Sequence, residues 1–258
     1  MSQQVGPMSL LPDTYTRRAQ LRPALFVALP LALCAIAYFS SDLQKWAGMW
    51  TAMWTLLIWC GGIILFAQLG RDMGRRKQDD LYKQWGGKPT TKLLRHRDAE
   101  NQVALQRRHQ RLQQLMPDIK LPSPSEEREN PEAADEIYET CSAFLREQTR
   151  DTKEFRLVFE ENCNYGFRRN LWGMKPVGIV ISVIGIAVIT ALIILDQCGI
   201  ITANLPTMIA CGTLIMFSLL GWLFLFKPSW VRIPADAYAI QLIGAVDKLE
   251  PPKLPEEK

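Results

Sequence analysis

The sequence predicts an all-α membrane protein in which four transmembrane helices form two hairpins flanking a cytosolic helical domain. Three observations carry this expectation. The apolar residues of the 258-residue chain are pooled into four uncharged blocks, whereas a soluble core scatters them at helix or strand period. Each block is about as long as a bilayer crossing demands, roughly 17–25 residues. Basic residues gather beside only one end of each block. The averages hide the pattern: 48% apolar content and a mean hydropathy of −0.02 are those of an ordinary soluble protein.

The segment 1–22 is read as a cytosolic N-terminal stretch. The first hairpin, 23–70, holds spans at 23–41 and 46–70; the second, 173–226, holds spans at 176–195 and 205–226. None of the four contains Asp, Glu, Lys, Arg or His. Hydrocarbon offers the backbone no hydrogen bonds, so uncharged runs this long close their own as helices. Asp42 to Lys45 and Asp196 to Asn204 are tight connections. Trp46, Trp50, Trp172, Trp222 and Trp230 stand near the edges, where an indole keeps its N–H wet and its ring in lipid.

Arg17, Arg18 and Arg22 precede the first span; Arg71, Arg75, Arg76 and Lys77 follow the second. Arg168, Arg169 and Lys175 precede the third; Lys227 and Arg232 follow the fourth. The tight connections hold only Lys45. The positive-inside bias then puts both termini and the middle region in the cytoplasm, in a plasma membrane or a bacterial inner membrane. Thr16-Arg17-Arg18 with Ala35-Ile36-Ala37 also resembles an export signal with its cleavage site. Retention is favoured, because cleavage leaves few residues before the second span and no exported domain.

Between 71 and 172 the pattern predicts a charged helical domain. The second span is expected to continue to Trp85 and break at Gly86-Gly87-Lys88-Pro89. Thr90 or Thr91 then caps a helix carrying Leu93, Leu94, Val103, Leu105, Leu112 and Leu115. Asn130-Pro131-Glu132 starts another, with Ile137, Cys141, Phe144 and Leu145 on one face. A further helix carries Phe155, Val158, Phe159 and Phe167 toward the third span. Residues 71–111 hold 12 basic and 5 acidic residues, and 112–161 hold 6 and 13. Two arms neutralising each other is the favoured reading, against a basic arm lying on anionic lipid. The tail 227–258 carries a short amphipathic helix with Ala239, Leu242, Val246 and Leu249 on one face, ended by Pro251-Pro252.

Few motifs point to chemistry. His96-Arg97-Asp98 with Asn101 has the wrong spacing for a kinase catalytic loop and reads as mid-helix. Gly86-Gly87-Lys88 precedes Pro89, not Ser or Thr, so it is no P-loop. A glycine pair before a Thr-capped helix could nonetheless receive an anionic ligand, making Gly86, Gly87, Lys88, Thr90, Thr91, Lys92 and Arg95 the candidate binding residues. His96 and His109 have no metal-ligand spacing, the six cysteines form no CxxC pair, and no nucleophile setting surrounds a Ser or Thr. No catalytic residue, metal or cofactor is expected. With a net charge of only +4 and no reading module, neither is nucleic acid.

Inside the membrane, the absence of ionisable residues argues against a pump or proton-coupled carrier. Gly61 and Gly62 in the second span, and Gly178, Ser182 and Gly185 in the third, are candidate helix-packing positions, within the chain or between subunits. The Trp46, Trp50 and Trp54 stripe is read in the same way. The leading functional expectation is a non-enzymatic homo-oligomer embedded in the bilayer, whose cytosolic domain senses a protein partner or ligand and acts on the bundle. Such chains look like pore-like effectors of bacterial defence or stress systems. The alternative is a passive anchor for a cytosolic partner protein.

Overall fold

The computed structural model describes residues 13–42 and 62–251. Most of the expected second span, with Gly61 and the Trp46, Trp50 and Trp54 stripe, lies outside them. In chain order the helices are α1 (Arg22–Phe39, entered through a π-helical Thr16–Leu21), α2 (62–76), α3 (Gln78–Gln84), α4 (Pro89–Lys92), α5 (Gln102–Leu115) and α6 (Pro124–Glu129). Then come α7 (Pro131–Gln148), α8 (Arg156–Gly173), α9 (Lys175–Gln197), α10 (Leu205–Leu220, continued by a π-helical Gly221–Leu225) and α11 (Pro228–Gly244). Among the described residues there is no strand, only an isolated bridge between Ser41 and Ala203.

The chain divides into two compact units, Met1–Gln78 with Gly166–Val231, and Asp79–Tyr165 with Arg232–Lys258. In the first unit three helical stretches are long and apolar enough to cross a membrane: Thr16–Phe39, Lys175–Gln197 and Leu205–Leu225. Their outer surface is apolar, unlike that of a soluble bundle. On α9 the buried residues are Gly178, Ser182, Gly185, Ile189 and Leu192, at three- and four-residue spacing. The outward positions are Val180, Val183, Ile184, Val188 and Ile194. Of the exposed large apolar residues among the described residues, 21 belong to the first unit and only four to the second. In water each would forgo about 1.5–3 kcal/mol of burial, a cost that a surrounding apolar medium removes.

Small residues inside permit close helix approach. A Cβ at Gly178 would fall 2.2 Å from the Trp222 ring, and one at Gly185 would lie 3.3 Å from Ile215. Ser182 donates to the Gly178 carbonyl at 2.7 Å, so its hydroxyl is satisfied within its own helix. Gly178 and Gly185 therefore pack within one chain, against the α10 stretch, with Cys34 of α1 also beside Gly185. Gly62 differs, since a Cβ there meets nothing within 4 Å.

The two ends of this unit are chemically unlike. At one end Asp42 accepts from Thr202 N–H at 2.9 Å, Asp196 accepts from Ala203 N–H at 2.9 Å, and Ser41 bridges Ala203. This ties the close of α1 to the α9–α10 turn. The other end gathers the start of α1 with the ends of α2, α8 and α10. Asn170 donates to the Ala19 carbonyl at 2.7 Å, Gly74 packs on Asn170, and Lys175 donates to the carbonyls of Leu223 and Phe226 at the frayed close of α10.

The second unit is built on Leu94, Leu112, Leu115, Tyr138, Leu145, Phe155 and Leu242, with Val246 beside them. The expected α11 face thus packs on the middle region, with Leu249 partly covered. The helix itself starts earlier than expected, at Pro228, and runs through Pro234. Pro234 cannot donate to the Trp230 carbonyl; Arg168 Nη1 does so instead, at 2.9 Å.

One expected helix is corrected. The stretch from Thr90 to Leu115 is two helices, and neither Thr90 nor Thr91 is a cap. Lys88 stands at the start of α4 without a side-chain capping bond, both threonines lie inside it, and Asn101 caps α5 by accepting from Ala104 N–H at 3.0 Å. His96-Arg97-Asp98 is accordingly in the turn between them. The cause is a competing acceptor: the N–H groups of His96 and Arg97 donate to the Glu127 carboxylate at 2.7 and 3.1 Å rather than to helix carbonyls.

Candidate functional site

The most organised polar cluster lies in the second unit, where the α4–α5 turn meets α6 and α7. Ser123 opens α6 with a reciprocal capping box to Glu126, which fixes the next residue, Glu127, facing inward. Glu127 is 2% exposed and accepts four bonds, from His96 N–H, Arg97 N–H, Arg97 Nη1 and the Tyr138 hydroxyl. Burial alone would raise its pKa. The His96 amide, Tyr138 hydroxyl and Arg97 outweigh burial and hold it below the ordinary value. Burial and the same carboxylate push the Tyr138 phenol up.

Arg95 is buried beside this group. Its Nε and Nη2 make a two-point contact with Asp135 at 2.8 and 2.6 Å, while Nη1 donates to Asp98 and to the Gly86 carbonyl. Burial disfavours its charge, but the bonds to Asp135 and Asp98 prevail and raise its pKa. Arg97 also reaches Asp135, and Lys88 pairs with Glu139 at 2.6 Å. Cations from the basic stretch and carboxylates from the acidic one therefore neutralise each other here.

The candidate anion-binding residues come together around this cluster, and their charges are directed inward. Gly86 and Gly87 adopt positive φ, +76° and +130°, which lets the chain reverse between α3 and α4. A Cβ at Gly87 would fall 2.5 Å from an Arg95 nitrogen, so the guanidinium fills the hollow that an anion would need. Lys92 donates to the Trp85 carbonyl at 3.0 Å. Thr90 is buried, as is Thr91, whose hydroxyl has no hydrogen-bond partner among the described residues. The arrangement reads as a staple more than a receptor.

Beside the staple is a cleft of about 530 Å³ bounded by α4, the turn, α5 and α11. Its walls carry Lys92, Arg108 and Arg232 against Asp98, Glu100 and Asp236, with Leu93, Ala239 and Ile240 between them. Balanced charge over an apolar floor suits a polypeptide edge better than a phosphate.

His109 Nε2 lies 2.8 Å from the Leu94 carbonyl and its ring packs edge-on against His96 at 4.9 Å. A carbonyl only accepts, so Nε2 carries the proton. Burial pushes the His109 pKa down, and His96 adds to this, against the Leu94 bond and the Glu127 charge. Burial likewise pushes the Cys141 thiol up to about 11, leaving it unreactive at neutral pH. Among the described residues no three His, Cys, Asp or Glu side chains are grouped to hold a metal.

Sequence reasoning missed Glu127, Asp135 and Tyr138. Glu127 sits in a run of acids that reads as solvated, and only the Ser123-Pro124-x-Glu126 start signal could have set its facing. Comparison of the chain with family models, curated proteins and solved structures returned no match.

Proposed function

We propose that the chain is a non-enzymatic membrane protein with four spans, whose second unit is a cytoplasmic receiving domain for a protein partner. One observation carries the membrane reading: the first unit presents large apolar side chains outward as well as inward. The missing span is 46–70, which the uncharged sequence supplies. The basic residues at one end of the unit and Asp42 and Asp196 at the other support cytoplasmic termini. The receiving role rests on the mixed cleft of the second unit, while the polar cluster beside it spends its bonds on itself and offers no nucleophile or base.

The domain passes the bound state to the bundle, which acts on the membrane as an assembly of several copies. Ser182, Thr190 and Thr213 each bond to a carbonyl of their own helix, so these hydroxyls already hold a partner within a single chain. A passive anchor is the second reading, and that self-contained bonding favours it. Dye and ion flux from liposomes holding the purified protein separates the two. Flux that rises with protein density or on adding a co-purified partner supports the effector, and sealed vesicles with a stoichiometric bound partner support the anchor.

A further inference from the structure

We infer that the basic end of the first unit is a docking surface for anionic phospholipid headgroups; this rests on the reading of that unit as a membrane bundle. The basic residues of the chain are used in two ways. Lys88, Arg95 and Arg97 are paired with carboxylates of the second unit. Arg18, Arg22, Arg75, Arg76 and Lys227 belong to the first unit, are exposed, and form no ion pair among the described residues. They are scattered in sequence, yet the contacts at Ala19, Gly74, Asn170 and Phe226 bring their helix ends together.

Unpaired like charges gathered at one end of the unit repel one another, so the arrangement calls for an external anion. Its surroundings indicate which kind. Exposed apolar side chains adjoin the cations along the same helices, Leu25 on α1, Leu69 on α2 and Phe224 at the end of α10. Two indoles lie beneath further cations, Lys77 over Trp172 at 5.1 Å and Arg168 over Trp230 at 4.7 Å. Cation, indole and aliphatic surface in succession match the headgroup, glycerol and acyl layers of a leaflet. A soluble acidic protein would leave the aliphatic layer uncovered. Leaflet phosphates are therefore the occupant, and a leaflet rich in net-negative lipid fits best.

The test uses the full-length protein reconstituted in vesicles of equal phosphatidylglycerol and phosphatidylcholine, with bound lipids counted by native mass spectrometry after gentle extraction. The proposal expects phosphatidylglycerol to be enriched roughly tenfold over phosphatidylcholine. The enrichment should fall to near parity in R18Q/R22Q/R75Q/R76Q and return in R18K/R22K/R75K/R76K. Parity in the wild type, or enrichment that survives the glutamine variant, overturns it. So does displacement of the lipid by a soluble acidic peptide, which would assign the face to a protein. If the chain fails to enter the vesicles at all, the membrane reading itself has failed.

Discussion

Glu127→Gln tests whether the buried carboxylate holds the second unit together. Each Glu127 oxygen accepts two bonds: Oε1 from the Arg97 amide and Nη1 at 3.1 and 3.0 Å, Oε2 from the His96 amide and Tyr138 hydroxyl at 2.7 and 2.8 Å. Glutamine replaces one oxygen by NH₂. Turned one way the NH₂ faces both Arg97 donors; turned the other it faces the His96 amide, while the Tyr138 hydroxyl can rotate to accept from it. A stranded buried donor costs about 1–3 kcal/mol, and the weakened bond to Arg97, which keeps Asp135 as a partner, adds less, so the loss is about 3 kcal/mol. Native-state hydrogen exchange in detergent micelles, read on peptides covering 134–145, measures it locally. Exchange there should quicken by about a hundredfold, since α7 opens once its clasp is cut. Glu126→Gln is the internal control. Glu126 is exposed; its glutamine can keep the capping bond to Ser123 N–H and loses the ion pair with Lys120, with a modest effect confined to 120–129. Exchange in the Glu127 variant no faster than in the Glu126 variant would refute the reasoning.

Three further outcomes are expected. Folded His109 resists protonation while the unfolded chain accepts it at the ordinary 6.5, so stability should fall as pH drops through about 6.5. Melting temperatures between pH 8 and 5.5 should show that slope, and His109→Gln should flatten it. The Glu127 contribution is lost only in a separate window, below the ordinary 4.5. Gly178→Val drives a side chain into Trp222 and should destabilise the bundle by about 1–3 kcal/mol with a shifted indole emission, whereas Gly62→Ala should be neutral or slightly stabilising. Asn101→Ala removes the α5 cap and should cost about 1 kcal/mol, read as faster exchange at 102–105; a helix continuous from Thr90 would not respond.

The sequence expressed the fold where one force dominates. Uncharged runs admit only helix in lipid, so the spans 23–41, 176–195 and 205–226 correspond to the apolar helices Thr16–Phe39, Lys175–Gln197 and Leu205–Leu225. Asn130-Pro131 began α7 because cap and proline act locally. The 90–115 stretch misled because its leucines keep helical spacing on either side of a turn. That turn is fixed by Glu127, some thirty residues away, and no local signal announces it. The candidate anion residues lie around Gly86-Gly87, but their electrostatic fate depends on Asp135 and Glu139, still farther away in sequence. Long-range pairing of charges leaves no periodic trace, whereas apolar burial does.

The central claim is that the chain crosses a bilayer between the second unit and the α9–α10 turn. Cys198 is exposed in that turn, and Thr152 is exposed between α7 and α8. Two variants, one keeping Cys198 alone and one carrying Thr152→Cys alone, can be treated with a membrane-impermeant maleimide in sealed cells. The account predicts that Cys198 is labelled in intact cells and residue 152 only after permeabilisation. Equal labelling of both before permeabilisation, or recovery of the protein in the detergent-free supernatant, would contradict it.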